Sequence, residues 1–396
     1  MRISEIHGYV VKVRDAAYLG GQSMAAGTRR REDYLRHRHY RAAYSVNTET
    51  FLVKIVAEDG TYGWGEAQAP LVPEVPAQIV QRLLGPFLLG EDVNTIGAHW
   101  HSSYDTMRER GHWNGYQLDA IAACDIALWD LKGKLLDQPV ADLGAGRYRS
   151  EVPCYVSGLP AADDEARAAL AREWAERGFT QFKLALGTGI DADVATFARV
   201  RDELGPAPAL YVDAHWRYTV PEAITLGHRL EAYGLGFLEA PVAPEDAEGQ
   251  AAVARALTVP VAVGEELRTA FDVRDRLTRG AANLVQPDVG RMGITQTLDV
   301  AALAAAFHVP VALHLGVGLG VYIAASLHAA AAIENLLTVE YQPTQLAAAH
   351  PFLRADIDVD GGYYRVPQGP GLGIEVNLET VFGHITHSFT ITHVGA

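Results

Sequence analysis

Seven short apolar runs decide the fold, and they are FKLAL (182–186), LYVDAH (210–215), GFLEAP (236–241), VAVGEE (261–266), NLVQPD (283–288), VPVALH (309–314) and LLTVEY (336–341). Each run ends at or near an ionisable side chain. From the second run onward these are Asp213, Glu239, Glu265, Asp288, His314 and Glu340, separated by 26, 26, 23, 26 and 26 residues. A repeat of this length indicates a recurring supersecondary unit.

Each run is rich in Val, Leu and Ile, which is typical of a strand buried on both faces. Between the runs lie amphipathic segments such as PEAITLGHRLEAYG (221–234), which predict helices with Pro and Gly at their ends. Strands that alternate with helices predict a parallel sheet. VPCYVSG (152–158) adds a first strand, and seven or eight such units favour a closed (β/α) barrel, in which chemistry occurs at the C-terminal strand ends.

Composition limits the classes of function. The chain has 396 residues and a formal net charge of −15, which argues against nucleic acid as a partner. The two cysteines, Cys124 and Cys154, lack metal-type spacing and are expected to be buried thiols. The N-terminus shows no export signal, and no apolar stretch is long enough to span a membrane. We expect a cytoplasmic homo-oligomer that binds a small molecule and no membrane.

The remaining segments predict a second domain. Residues 1–125 are expected to form an N-terminal capping domain, 126–355 the barrel, and 356–396 a tail that packs back on the capping domain. Residues 15–47 contain Gly20, Gly21 and Gly27 and the basic aromatic run RRREDYLRHRHYR (29–41). We predict a loop there, either a static one or a flap that closes over an anionic ligand.

Three acidic side chains predict a metal site. Asp213, Glu239 and Glu265 end three successive strands, and adjacent strands lie about 4.8 Å apart, so their carboxylates converge. Such a cluster is costly unless a cation neutralises it. Hard oxygen ligands without cysteine favour Mg²⁺. Glu266 competes with Glu265, because strand alternation lets only one of the two point inward.

The other strand ends predict acid–base chemistry. His314 and Asp288 end neighbouring strands, where a hydrogen bond between them would fix the tautomer of the imidazole and raise its basicity. Lys183 and His215 lie on the opposite side of the predicted barrel. Glu340, on the last strand, completes the ring of candidate catalytic residues.

These motifs together resemble the enolase superfamily and, within it, the mandelate racemase subgroup. The resemblance covers nearly the whole chain and includes GTYGWGEA (60–67), CDIALWDLKGK (124–134), the strand ends named above and GGYYRVPQGPGLGIEVN (361–377). It implies an α/β fold, a modified TIM-type (β/α) barrel with an N-terminal α+β capping domain that takes in the C-terminal tail. It also implies specificity flaps within 15–47 and around Gln68–Glu74.

The resemblance assigns roles residue by residue. It implies Mg²⁺ ligands at Asp213, Glu239 and Glu265, a His314–Asp288 dyad, and a catalytic glutamate at Glu340. Members that use a base on the second strand often read Lys-x-Lys, whereas this chain reads Lys183-Leu184-Ala185, which argues against a two-base racemase. The Asp213-x-His215 pattern resembles that of aldonate dehydratases in the subgroup.

The sequence therefore predicts a Mg²⁺-dependent dehydratase of an acid sugar. Lys183 is expected to hold the substrate carboxylate, and His215 to protonate the leaving hydroxyl. One alternative is an isomerase on the same platform, either an aldarate-lactone cycloisomerase or an epimerase. An alternative of another class is a non-catalytic sugar-acid binding protein, against which the intact dyad and Glu340 argue.

Overall fold

The computed structural model describes residues 1–14, 16, 29–36, 42–144, 146–355 and 357–392. Within these residues the strands are β1 (Ile3–Val13), β2 (Arg29–Arg31), β3 (Tyr34–Arg36), β4 (Ala43–Ser45), β5 (Thr48–Ala57), β6 (Tyr62–Ala67), β7 (Glu151–Gly158), β8 (Gln181–Ala185), β9 (Ala209–Asp213), β10 (Leu235–Glu239), β11 (Val261–Val263), β12 (Leu284–Val285), β13 (Val311–Leu313), β14 (Leu336–Tyr341), β15 (Val359–Asp360), β16 (Tyr363–Arg365) and β17 (Ile385–Thr392).

The α-helices are α1 (Glu74–Ile79), α2 (Gly85–Leu88), α3 (Ile96–Arg108), α4 (Tyr116–Leu135), α5 (Asp164–Glu176), α6 (Ile190–Leu204), α7 (Val220–Glu231), α8 (Ala247–Ala256), α9 (Ala270–Arg279), α10 (Val289–Ala306), α11 (Val321–Ala332), α12 (Pro343–Ala349) and α13 (Leu378–Phe382). A π-helical turn, Val80–Leu84, joins α1 to α2, and short 3₁₀ turns occur at Val140–Asp142 and His350–Phe352. In the part of the chain covered here, no helix is long and apolar enough to cross a membrane.

The predicted barrel is confirmed. Strands β7 to β14 follow one another in parallel order, and β14 pairs with β7 to close the ring. A helix follows each strand, from α5 after β7 to α12 after β14. The strands read as continuous apolar runs because helices cover their outer face while side chains fill the interior. Tyr155, Tyr211 and Phe237 fill part of that interior and contact one another through their rings.

The N-terminal region forms an antiparallel sheet in the order β17-β1-β5-β6. The β5–β6 hairpin turns at Asp59-Gly60, where Gly60 has φ +85° and the Asp59 side chain accepts from the Thr61 N–H at 2.9 Å. Strand β17 from the C-terminal tail pairs with β1 along its length. Strands β15 and β16 form a hairpin in the tail, and β16 pairs with β7 of the barrel.

Helix α4 joins the sheet to the barrel. It is buried almost throughout, and two of its acidic residues serve as hydrogen-bond acceptors. Asp130 accepts from the Trp64 and Leu372 N–H groups at 2.8 Å each, and Asp125 accepts from the Thr295 N–H at 3.0 Å. The boundary placed after residue 125 falls inside this helix, and the three domain limits stay predictions.

The segment 15–47 is described only in part. Its three short strands β2, β3 and β4 form an antiparallel sheet, where the sequence predicted a loop. The sheet is held to the capping domain by Tyr34, whose hydroxyl donates to Glu49 at 3.2 Å and accepts from the Val72 N–H at 3.3 Å. The glycines Gly20, Gly21 and Gly27 and the end of the basic run lie outside the described residues, and flap closure stays a prediction.

Candidate active site

The barrel brings the predicted residues to one end. Asp213 and Glu239 are the last residues of β9 and β10, and their Cα atoms are register partners across the two strands. Glu265 follows β11 by two residues. Asp288 and His314 follow β12 and β13 in the same way, whereas Glu340 and Lys183 lie inside β14 and β8, one and two residues before the strand ends. All of these side chains are buried or nearly so, apart from a partly exposed Glu265.

The three predicted metal ligands form an acidic cluster. Burial raises the pKa of Asp213 to about 7, and the Glu265 carboxylate adds to this shift while Lys183 opposes it. Burial likewise raises the pKa of Glu239 to about 7, against Lys183 and with a contribution from Asp213. Because each carboxylate disfavours the charge on the next, a cation bound among them would relieve a real electrostatic cost.

Two side chains of the protein, Lys183 and His314, form ion pairs with carboxylates of this cluster. Lys183 Nζ lies 2.8 Å from Glu239 Oε2 and 3.3 Å from Glu340 Oε1. His314 Nε2 lies 2.8 Å from Glu265 Oε2. Among the residues that the structure describes, no three His, Cys, Asp or Glu side chains stand in a metal-ligand arrangement. The donor set of three carboxylates fits a hard divalent cation, which would compete with Lys183 and His314 for the same oxygens.

The predicted His–Asp pair is present. His314 Nδ1 lies 2.6 Å from Asp288 Oδ2, and since a carboxylate only accepts, Nδ1 carries the proton. The other oxygen, Asp288 Oδ1, accepts from the Gly290 N–H at 2.8 Å, which fixes the carboxylate at the N-terminus of α10. Burial lowers the pKa of His314, but Glu265, Glu340 and Asp288 outweigh it and raise that pKa well above its ordinary value.

Lys183 and Glu340 face each other beneath this pair. Burial lowers the pKa of Lys183, yet the charges of Glu239 and Glu340 raise it well above its ordinary value, so Lys183 remains an ammonium. Burial raises the pKa of Glu340, whereas Lys183 and His314 lower it below its ordinary value overall. The Ser157 hydroxyl donates to Glu340 Oε1 at 2.5 Å. A fixed cation beside a carboxylate suits the binding of an anionic substrate group.

His215 lies across the cluster on a strained turn. His215 and Trp216 have φ of +49° and +58°, in the left-handed region that non-glycine residues seldom adopt. The turn is held by the His215 N–H, which donates to Asp213 Oδ1 at 2.8 Å. The ring nitrogen Nδ1 lies 3.3 Å from Asp213 Oδ2, and burial lowers the pKa of the imidazole. The side chain is a quarter exposed, which leaves it accessible to a ligand.

The competition between Glu265 and Glu266 has a structural answer. Glu265 points inward, as its contact with His314 shows, and Glu266 points outward. Glu266 accepts from the Gly264 N–H at 3.2 Å and lines a separate cavity of about 880 Å³ between α3 and α9, together with Tyr104, Trp113 and Phe271. Glu266 is therefore outside the acidic cluster.

The sequence analysis did not identify four residues that hydrogen-bond to the candidate site residues or to one another beside them. Gln286 Nε2 donates to Glu239 Oε2 at 2.8 Å, and Ser157 binds Glu340 as described above. Arg291 donates from Nη1 to the Glu265 carbonyl at 2.5 Å and from Nε to Gln68 Oε1 at 2.6 Å. Gln286 and Arg291 flank Asp288 in sequence, so their proximity to a predicted catalytic residue could have marked them as site residues. Gln68 lay in a stretch interpreted as a flap, and no local pattern tied it to the barrel.

The comparisons with known proteins agree with this architecture. Residues 26–144 match the mandelate racemase / muconate lactonizing enzyme N-terminal domain, and residues 166–381 match the enolase C-terminal domain-like family. The chain belongs to the enolase superfamily, in its mandelate racemase subgroup, and is an enzyme.

Particular relatives extend the comparison. The chain is 36% identical over 345 residues to a D-galactarolactone cycloisomerase of Agrobacterium fabrum, which covers 83% of this chain and 89% of that protein. It is 32% identical over 366 residues to a D-xylonate dehydratase of Haloferax volcanii, with 87% of each chain covered. It is also similar to D-galactonate dehydratases of several bacteria.

Solved structures are similar over nearly the full length. A member of the enolase superfamily from Agrobacterium tumefaciens has a TM-score of 0.93 and 35% identity, covering 98% of this chain and 99% of that one. A racemase from Streptomyces coelicolor, whose crystal structure contains bound magnesium, has a TM-score of 0.84 and 26% identity, covering 97% of this chain and all of that one.

Proposed function

We propose that this enzyme is a magnesium-dependent dehydratase of an acid sugar, an aldonate or aldarate, and hence a hydro-lyase. The observation that carries the proposal is the buried His314–Asp288 pair, whose Nε2 faces the acidic cluster while Lys183 lies across from it. The similarity to D-xylonate and D-galactonate dehydratases supports the same reaction class.

The substrate is a 2,3-dihydroxy carboxylate. Asp213, Glu239 and Glu265 would hold Mg²⁺, which supplies positive charge against the second negative charge that develops on the substrate carboxylate. The Lys183 ammonium binds the same carboxylate. Glu340, hydrogen-bonded by Ser157 and the Leu315 N–H, orients Lys183 and faces the carboxylate from the other side.

The proton steps fall to the two histidines. With Glu265 taken up as a metal ligand, His314 would lose the Nε2 proton that the Glu265 carboxylate now stabilises. The C2–H bond then breaks and its proton moves to Nε2, while Nδ1–H stays bonded to Asp288. The C3–O bond then breaks, and His215 donates a proton so that the hydroxyl leaves as water. The resulting enol tautomerises to a 2-keto-3-deoxy acid. Ala185 supplies no base on the opposite face, which favours elimination over racemisation.

A second candidate is the opening of an aldarate lactone. The 36% identity to a D-galactarolactone cycloisomerase favours it, and the α-proton step is the same. The leaving group is then the carboxylate oxygen of the lactone ring, which departs without a proton donor. His215→Asn should therefore greatly slow a dehydration and leave lactone opening nearly unchanged, so this one substitution separates the two candidates.

The experiment is a screen of aldonic acids, aldaric acids and aldarolactones with Mg²⁺. Formation of 2-keto acids is followed by the absorbance of their semicarbazones, and products are weighed by mass spectrometry. A keto acid lighter than its substrate by one water supports the dehydratase. A keto acid isomeric with a lactone substrate supports the cycloisomerase. Epimerised substrate without any keto product would overturn both.

A further inference from the structure

We propose that Gln68, from the capping sheet, is a positioning residue that holds the His314–Asp288 pair and Glu265 in their reactive arrangement. Gln68 directly follows β6 and is 4% exposed. Its N–H donates to the Gly290 carbonyl at 2.8 Å, and its Oε1 accepts from Arg291 Nε at 2.6 Å. The end of a capping strand is thus bonded to the first turn of α10, whose N-cap residue is Asp288.

Arg291 carries this contact to the acidic cluster. Its Nη1 donates to the Glu265 carbonyl at 2.5 Å, so one guanidinium bridges Gln68 and the backbone of a predicted metal ligand. The arginine is largely buried, and its planar fork of donors fixes both partners at once. A change at Gln68 would therefore be transmitted to Glu265 without any direct contact between the two side chains.

Close packing extends the contact to the His314 side. A Cβ at Gly290 would lie 2.6 Å from the Cβ of Gln68, so only glycine allows the approach. A Cβ at Gly316 would lie 2.2 Å from Gln68 Nε2 and 3.4 Å from His314 Cε1. The Gln68 amide therefore packs against the loop that directly follows His314. One capping residue touches the segments that carry both members of the pair.

A neighbouring residue shows that this strand end is built into the barrel. The buried Glu66 carboxylate accepts from the Leu319 N–H at 2.5 Å and the Tyr322 N–H at 3.1 Å, at the start of α11. Glu66 holds the far end of the same loop, while Gln68 holds the end nearest His314. Gln68 itself, which the resemblance placed in a specificity flap around Gln68–Glu74, is therefore fixed by two hydrogen bonds to the first turn of α10 and by packing against the loop after His314.

The test compares Gln68→Met, which keeps the length and loses the acceptor, with Gln68→Glu, which keeps an acceptor for Arg291. Loss of a residue that hydrogen-bonds to a metal ligand or catalytic group typically lowers metal affinity or activity by roughly 10–100-fold. We expect Gln68→Met to lower kcat by about this factor with KM changed far less, and Gln68→Glu to recover most of it. Gln78→Met, on the capping helix α1, is the matched control and should behave as the wild type.

A double-substitution cycle tests the route through Arg291. Arg291→Lys keeps the buried charge and loses the fork, so it should reproduce much of the Gln68→Met effect. The two substitutions together should cost less than the product of their separate effects, because they remove the same contact. The proposal would be overturned if the effects of the two substitutions on kcat were fully additive. It would also be overturned if Gln68→Met folded with wild-type kcat, or if it failed to fold.

This inference rests on the proposed function only for its kinetic readout, and a second readout is independent of substrate. Thermal unfolding is followed while Mg²⁺ is titrated into the wild type and Gln68→Met. We expect the variant to need roughly 10-fold more Mg²⁺ for the same rise in Tm. If no acid sugar is turned over, the proposed function fails while this titration still decides the role of Gln68. Identical Mg²⁺ curves would contradict that role.

Discussion

His314 Nδ1 lies 2.6 Å from Asp288 Oδ2, and both side chains are buried. Asp288 is itself held by the Gly290 N–H, so the carboxylate cannot turn away from the ring. The contact keeps a proton on Nδ1 of His314 and aims Nε2 at the acidic cluster. A histidine held in this way is suited to move a proton at a defined position.

The first prediction concerns this histidine. His314→Asn should lower kcat by at least about 10²–10⁴-fold, the usual contribution of a general acid–base group. Asp288→Asn should cost less, since the imidazole stays and only its anionic partner is lost. Steady-state kinetics checks both, with circular dichroism to confirm folding. The control is His228→Asn, which replaces an exposed histidine on α7. Equal activity of the His314→Asn and His228→Asn variants would contradict the catalytic role of His314.

The second prediction concerns the metal. Excess chelator should abolish activity, and Mg²⁺ should restore it, because three clustered carboxylates repel one another unless a cation neutralises them. Glu239→Gln should keep the fold and weaken Mg²⁺ binding by at least roughly 10-fold, as measured by calorimetry. Glu173→Gln on the exposed side of α5 should leave the affinity unchanged. Undiminished turnover in excess chelator would remove magnesium from the mechanism.

The barrel and its ring of ionisable residues were predictable because each strand is an apolar run of defined length. The residue that ends a parallel strand must lie at the same rim as its neighbours, so the 26-residue spacing places Asp213, Glu239 and Glu340 without any tertiary information. The burial of Cys124 and Cys154 as free thiols followed equally simply and is confirmed.

The contacts between the capping domain and the barrel were not predictable in this way. Gln68 reaches Arg291 across 223 residues of chain, and no periodicity links them. The left-handed backbone at His215 and Trp216 was also not predicted from the sequence, since both residue types occur mostly in other backbone conformations. The short sheet formed by β2, β3 and β4 was missed because its strands of three residues are too brief to show alternation.

The third prediction concerns the altered strand-two motif. Ala185 is the register partner of Asp213 and lies on the same face of β8 as Lys183. The wild type should exchange the α-proton of one C2 epimer with D₂O, since His314 approaches from one side only. Ala185→Lys should add exchange of the opposite epimer, and Ala185→Met, of similar length without the amine, should not. Deuterium incorporation by NMR checks this.

A contrary result there would change the reaction class. If the wild type exchanged both epimers at similar rates, a second base would be acting on the other face. The dehydratase proposal would then give way to an epimerase.

The last prediction concerns stability against pH and uses a histidine far from the chemistry. His328, on α11, is fully buried, and its Nδ1 accepts from the Ala141 N–H at 3.1 Å. Burial lowers the pKa of this imidazole to about 4, from 6.5 in the unfolded chain. Above pH 6.5 the group is neutral in both states. As the pH falls below 6.5, the unfolded chain gains a proton that the folded protein does not, so stability is lost until about pH 4.

His328→Asn keeps an acceptor for the Ala141 N–H and does not titrate. The wild type should therefore lose up to roughly 3 kcal/mol more than this variant between pH 7 and pH 4, measured as the free energy of unfolding in urea. Other acidic groups titrate equally in both proteins, so the difference between them isolates His328. The exposed His228→Asn should follow the wild-type curve. Parallel pH curves for wild type and His328→Asn would show that the buried imidazole takes up its proton in the folded state as readily as in the unfolded chain.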